Sequence, residues 1–145
     1  AKKVKKPLII HIRDASNDSR QILMDYNAKE VGGVLHCYNA SEHLLPLAEH
    51  DFYFGIGGVL TFKNAKALVE VLPLIPRDKL LIETDGPYLT PMPHRGERNE
   101  PAYANLVVKK MAEILNMSVT EIHELTTNNA FLLFKVFKKG NLVKI

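Results

Sequence analysis

Two histidines and a pair of acids stand at the ends of short apolar runs. His11 lies at the end of "LIIHI" (8–12), His36 ends "GGVLH", and Glu83 and Asp85 close "LLIETD". Neutral imidazole nitrogen and carboxylate oxygen together ligate zinc, manganese and similar divalent ions. A bound ion lowers the pKa of its water and creates hydroxide near neutral pH. A nearby carboxylate can take the remaining proton or hold the nucleophile in place. Asp85, the last of the acids, is the candidate for that role. One histidine at a strand end is ordinarily a hydrogen-bonded structural residue. Two on separate strands, with an acid pair on a third, make a metal-assisted hydrolytic site an equal contender.

The loop that follows, "PYLTPMPHRGERNEP", holds three prolines between Pro87 and Pro93 and then Gly96. Proline restricts the unbound loop, so its polar groups can be placed with little loss of entropy. Arg95 and Arg98 offer planar forks suited to phosphate oxygens. Arg13, two residues after His11, shares its face if the strand runs that far. His94 is kept as a substrate contact. The competing reading pairs these arginines with Glu97, Glu100 or Asp14. "GIGGVLTF" lacks the lysine of a phosphate-binding loop and the spacing of a dinucleotide fingerprint. Ser16, Ser19 and Cys37 have no evident base partner, which argues against a side-chain nucleophile.

The elements that must carry these residues alternate. Apolar runs near 8–12, 31–38, 52–58 and 79–85 read as strands, with helical segments expected over 19–27, 41–49 and 64–72. Strands separated by helices of this length make βα units and a parallel sheet. Side chains alternate along a strand, so Glu83 and Asp85 share a face and Thr84 takes the other. In a parallel sheet all carboxyl ends meet at one rim, where ligands bind. Beyond residue 99 two helices are expected, near 100–116 and 118–134. Ser118 and Glu121 form a capping box at the start of the second.

The 145 residues, 46% of them hydrophobic, suffice for a single domain with a real core. No apolar run approaches the roughly 18 residues needed to cross a membrane. The one cysteine, Cys37, precludes an internal disulfide and makes a reducing cytoplasm the default expectation. The net charge of +3 is not evidence for a nucleic-acid partner. Lys2, Lys3, Lys5 and Lys6 supply +4, leaving the remainder at −1. Any case for a phosphate substrate rests on the site.

The stretches "KPLIIHIRDA", "GVLHCYNAS", "GIGGVLTFKNAKAL", "LLIETDGPYLTPMPHRGERNEPAY" and "TTNNAFLLF" resemble, in this order, the TatD family of metal-dependent deoxyribonucleases. The resemblance runs from about Lys6 to Phe134. It implies a TIM barrel of the amidohydrolase type and hydrolysis of DNA phosphodiesters. It also implies that His11, His36 and Asp85 are metal ligands for divalent ions, two per complete site, whether magnesium, manganese or zinc. Asp85 then also accepts a proton, Glu83 supports the site from behind the ligands, and Arg13, His94, Arg95 and Arg98 grip the substrate.

The chain departs from the family in two places. The family's H-x-H and its ligand glutamate, in a "GEIGLD"-like segment, would precede everything here. The sequence therefore reads as the C-terminal half of a (β/α)8 barrel, which typically takes about 250 residues. "AKKVKKP" fits the last turn of a helix. The expected partners are DNA as substrate and the missing N-terminal half of the barrel, with no membrane and with the oligomeric state left open. Alone, the chain is expected to be poorly stable and barely active. The family's His-Cys-Phe-Ser-Gly is here His36-Cys37-Tyr38-Asn39-Ala40, so the turn after His36 is expected to differ. The alternatives are a small-molecule amide, lactone or phosphoester hydrolase on the same scaffold, and a non-catalytic remnant.

Overall fold

The structure, a computed structural model, describes residues 1–134. Four parallel strands form one sheet in the order β1-β2-β3-β4: β1 Leu8–His11, β2 Gly33–His36, β3 Phe52–Ile56 and β4 Leu80–Ile82. Each lies within its expected span and is shorter, for local reasons. Gly32 adopts φ 61°, and a Cβ there would collide with the Asp51 carbonyl, so β2 begins only after it. At its other end Cys37 adopts φ 48° and turns the chain out of the ladder directly after His36. β3 gives way at Gly57 to a 3-10 turn, Gly58–Thr61. β4 follows another such turn, Arg77–Lys79.

The helices are α1 Ser16–Asp25, α2 Lys66–Val71, α3 Ala104–Leu115 and α4 Val119–Phe134. The helix expected over 41–49 is instead a 3-10 helix, Glu42–His50, with Pro46 inside it. Proline has no N–H to donate and its ring crowds the preceding turn, so a regular α-helix is not continued there. The two C-terminal helices are found where expected, with a separate 3-10 turn, Pro101–Tyr103, before α3. The capping box forms: Ser118 N donates to Glu121 Oε2 (2.7 Å) and Glu121 N donates to Ser118 Oγ (3.1 Å).

The register explains why one face is chemical. Ile9 pairs with Val34 and His11 with His36, so all four share a face. The opposite face carries Leu35, Phe52, Phe54, Ile56 and Leu80. These pack with Leu44, Leu47, Leu68, Leu72, Val107, Met111 and Ile122 into the main core. On the first face, Val34, Tyr53 and Leu81 are covered by Leu133, Ala130 and Phe134 of α4. Asn129 of α4 fixes that helix low on the sheet, donating to the carbonyls of Arg77 (2.9 Å) and Leu80 (2.8 Å). The carboxyl end of the same face is left to polar side chains. β1 alternates between half-buried and exposed, and Ile9 is 69% exposed.

Candidate metal centre

His36, the last residue of β2, is the hub. Its Nδ1 contacts Glu83 Oε2, and its Nε2 lies 3.0 Å from Asp85 Oδ1. Two acids two residues apart, on one face by alternation, thus reach opposite sides of one imidazole. The ladder continues for one more bond past Ile82, where Glu83 N donates to the Ile56 carbonyl (3.2 Å). Glu83 Oε2 also accepts the backbone N–H of Cys37 (3.3 Å). Thr84, on the other face, takes no part in the cluster.

A neutral imidazole has one N–H and can serve one carboxylate. The other nitrogen then faces an acid through lone pairs unless a proton or a cation lies between them. Each carboxylate has a further oxygen to satisfy. Glu83 Oε1 and Asp85 Oδ2 are buried and have no hydrogen-bond partner among the described residues. The side chains of His36, Glu83 and Asp85 are only 30%, 15% and 19% exposed, so bulk water does not substitute. One ligand atom from each of the three falls within 4.8 Å of the others. One nitrogen and carboxylate oxygens, two of them orphaned, suit a divalent cation. The residues present therefore fit the ion that the sequence implies.

Neighbouring glycines make this packing possible. A Cβ on Gly57 would overlap Glu83 Oε1, and one on Gly55 would meet Glu83 Cγ at 3.0 Å. Burial raises the pKa of Glu83, and the charge of Asp85 adds to it. The His36 ring and the Cys37 N–H pull the other way without cancelling it. The Cys37 thiol is pushed up to about 12, first by burial, then by hydrogen bonding to Asp85 and the charges of Asp85 and Glu83. At neutral pH it is a protonated thiol, which removes it as a nucleophile.

The structure places the remaining candidates around this cluster. His11 is exposed on β1, its ring centroid 6.0 Å from that of His36 at an interplanar angle of 50°. It flanks the three clustered residues without joining them. His94 stacks on Tyr103 (4.5 Å, 14°) and its Nδ1 lies 3.0 Å from Glu97 Oε2. Arg95 lies over the Phe62 ring at 4.0 Å. Arg13 and Arg98 are exposed, and none of the three arginines forms an ion pair among the described residues. β1 ends at His11, so Arg13 is beyond the strand that was to set its face.

Sequence reasoning missed Asn99. It is 5% exposed, and its Nδ2 donates to Thr84 Oγ1 (3.0 Å) and to the Tyr88 carbonyl (2.7 Å). Its backbone N–H donates to the Pro87 carbonyl (2.9 Å). Asn99 thereby ties together the two stretches that flank Asp85. No signal in the sequence marked it, since its side-chain partners Thr84 and Tyr88 stand 15 and 11 residues away. Gly57 was likewise not singled out by the sequence, and the structure gives it a specific neighbour in Glu83.

Comparison with known proteins points to one family. The family described as TatD related DNase matches residues 1–135. The chain is 47% identical over 137 residues to the uncharacterized metal-dependent hydrolase YabD of Bacillus subtilis, covering 94% of this chain and 54% of that protein. It is 39% identical over 136 residues to the uncharacterized metal-dependent hydrolase YcfH of Escherichia coli, covering 93% and 51%. The crystal structure of YJJV, a TatD homolog from Escherichia coli, superposes with a TM-score of 0.86 at 27% identity, over 94% of this chain and 53% of that one. A TatD family hydrolase from Entamoeba histolytica shares the fold, with a TM-score of 0.76 at 21% identity over 88% and 50%. The chain spans about half the length of these relatives, and its four βα units are half of their TIM barrel. With its parallel sheet and matching sequence from end to end of the described residues, the chain belongs to the TatD related DNase family.

Proposed function

We propose that this chain carries the carboxyl-terminal part of a metal-dependent hydrolase site that cleaves phosphodiester bonds of DNA. The observation that carries the reading is His36 held between two acids whose other oxygens are buried and unpartnered. His36 through Nε2 and Asp85 through its carboxylate would hold the cation, with His11 supplying a further imidazole from the adjacent strand. Magnesium, manganese or zinc are the candidate ions, two in a complete site. When bound, such an ion polarises the phosphoryl oxygen and acidifies water.

The chain's own residues do the rest. Glu83 accepts the Nδ1–H of His36, which selects the tautomer with a free Nε2 lone pair. Asp85 is the catalytic carboxylate and takes the proton of the attacking water. Arg98 extends an unpaired cation from the rim toward phosphate oxygens, and Arg13 extends another toward the substrate. Arg95 lies over Phe62 and can present its edge N–H groups to the substrate. His94 is braced by Tyr103 and Glu97 and contacts the same substrate. The lone neutral Cys37 suits a reducing cytoplasm, and among the described residues no helix is long and apolar enough to cross a membrane. A further polypeptide segment completes the barrel.

The test compares DNA oligomers with small phosphate, amide and lactone esters, each with Mg²⁺, Mn²⁺ and Zn²⁺ in turn, in a protein holding this chain within a whole barrel. The reading expects metal-dependent cleavage of DNA that falls at least a hundredfold in Asp85→Asn, with the fold retained by circular dichroism. Undiminished cleavage in Asp85→Asn removes the catalytic assignment. Turnover of small esters alone replaces DNA with a small-molecule substrate.

A further inference from the structure

A cleft of about 450 Å³ opens at the carboxyl ends of the strands beside the metal centre. His11 and Cys37 form its wall on that side, and Cys37 directly follows His36. The cleft therefore shares with the metal centre only its neighbours, His11 and the residue after His36. Its size lies in the small-ligand range of roughly 300–1,000 Å³. Ile12, Tyr38, Ala65 and Leu68 line it and are each at least nine-tenths buried, which gives it an apolar floor.

The polar groups along the cleft differ in their freedom. The Asn39 amide is consumed locally: it donates to the Arg13 carbonyl (3.1 Å) and Ser16 Oγ (3.0 Å) and accepts from Ser41 N (3.0 Å). The Arg13 guanidinium and the Asn64 amide have no partner among the described residues, and both residues are exposed. No carboxylate lines the cleft, so a cationic group is not favoured inside. What fits is a flat group with apolar faces and a hydrogen-bonding edge. Amide and guanidinium side chains pair with such edges through paired donors and acceptors.

We infer that this cleft is a nucleobase subsite, receiving the base of a nucleotide whose phosphate lies at His36 and Asp85. The inference rests on the phosphodiesterase reading and names the part of the substrate that the metal centre does not contact. Ala65, Leu68 and Tyr38 form the apolar surface against the base, and Asn64 and Arg13 meet its edge.

The test uses a protein holding this chain within a whole barrel, loaded with Zn²⁺, and follows binding by calorimetry and by methyl chemical shifts of Ile12 and Leu68. The probes are deoxyadenosine 5′-monophosphate, 2-deoxyribose 5-phosphate, deoxyadenosine and inorganic phosphate. Ala67, an exposed residue of α2 that lines the cleft, allows Ala67→Trp to fill it from outside the core. The nucleotide is expected to bind at least tenfold more tightly than the sugar phosphate. Ala67→Trp should erase that difference and leave the affinities for sugar phosphate and phosphate unchanged. Asn64→Ala, in an exposed position that cannot unfold the core, should weaken the nucleotide alone severalfold. Equal affinity of nucleotide and sugar phosphate overturns the inference, as does an Ala67→Trp effect common to all phosphates. If phosphate binds but the base adds nothing, the subsite fails and the phosphodiesterase reading stands. If deoxyadenosine shifts the cleft methyls while phosphate does not bind, the cleft is supported and the phosphodiesterase reading fails.

Discussion

Replacing Glu83 with glutamine should move metal affinity and stability in opposite directions. Glutamine keeps the shape of the side chain but withdraws the charge that faces His36 Nδ1. A hydrogen bond to a charged partner contributes about 1.5–3 kcal/mol net, and the Glu83 side chain is 15% exposed, so solvent screens little of it. At about 1.4 kcal/mol per tenfold, the loss is roughly 10- to 100-fold in affinity. That matches the range for removing a carboxylate behind a metal-bound histidine. Stability of the metal-free chain moves the other way. Burial raises the Glu83 pKa above its ordinary 4.5, so the native state binds more protons than the unfolded state between 4.5 and the raised value. Stability therefore falls as pH rises through that window, and the penalty is fully present above it. Glutamine carries no such penalty. Glu83→Gln should raise the urea midpoint at pH 7 and lose that advantage near pH 4. The assays are competition titration with a zinc-chelating indicator and urea unfolding at the two pH values. A zinc affinity within twofold of the parent would refute the assigned role of Glu83.

The neighbours of Glu83 and the core give further tests. Gly57→Ala places a methyl where Glu83 Oε1 now lies, while its φ of −113° suits alanine. It should weaken zinc binding about tenfold in the same titration, and add nothing further in the Glu83→Gln background if it acts through that carboxylate. Asn99→Ala removes two part-buried hydrogen bonds, each contributing about 0.5–1.5 kcal/mol net, and should cost about 1–3 kcal/mol in urea unfolding. It should also weaken zinc binding, because the segments flanking Asp85 lose their tie. Phe54 is fully buried and meets the Tyr38 ring edge-on at 4.9 Å. Phe54→Ala should cost about 3–5 kcal/mol, enough to unfold much of a marginal domain, as read by loss of cooperative melting.

Strand placement was legible because β3 is buried along its length and β2 up to His36, so both read as apolar runs. The capping box at Ser118 and Glu121 was legible because its hydrogen bonds are local. The segment over 41–49 had the apolar pattern of an α-helix, and Pro46 decided its type. At the site, alternation brought Glu83 and Asp85 to one face, and strand ends brought His36 to them. Alternation could not say that both acids would grasp the same ring. That depends on β2 and β4 being separated by β3, where Gly55 and the adjoining Gly57 leave the acid room to reach across. His11 shows the reverse limit: its register with His36 is as the pattern implies, yet it lies beside the cluster. Asn99 was hidden because its partners, Thr84 and Tyr88, are brought to it only by the folded loop.

The central claim is that a divalent cation belongs between His36 Nε2 and the Asp85 carboxylate, with Glu83 holding Nδ1. Anomalous diffraction from zinc-loaded crystals measures this directly. The account predicts a peak bonded to His36 Nε2 and Asp85, with Glu83 Oε2 still on Nδ1. A peak bonded to Nδ1, or zinc bound only away from these residues, would contradict it.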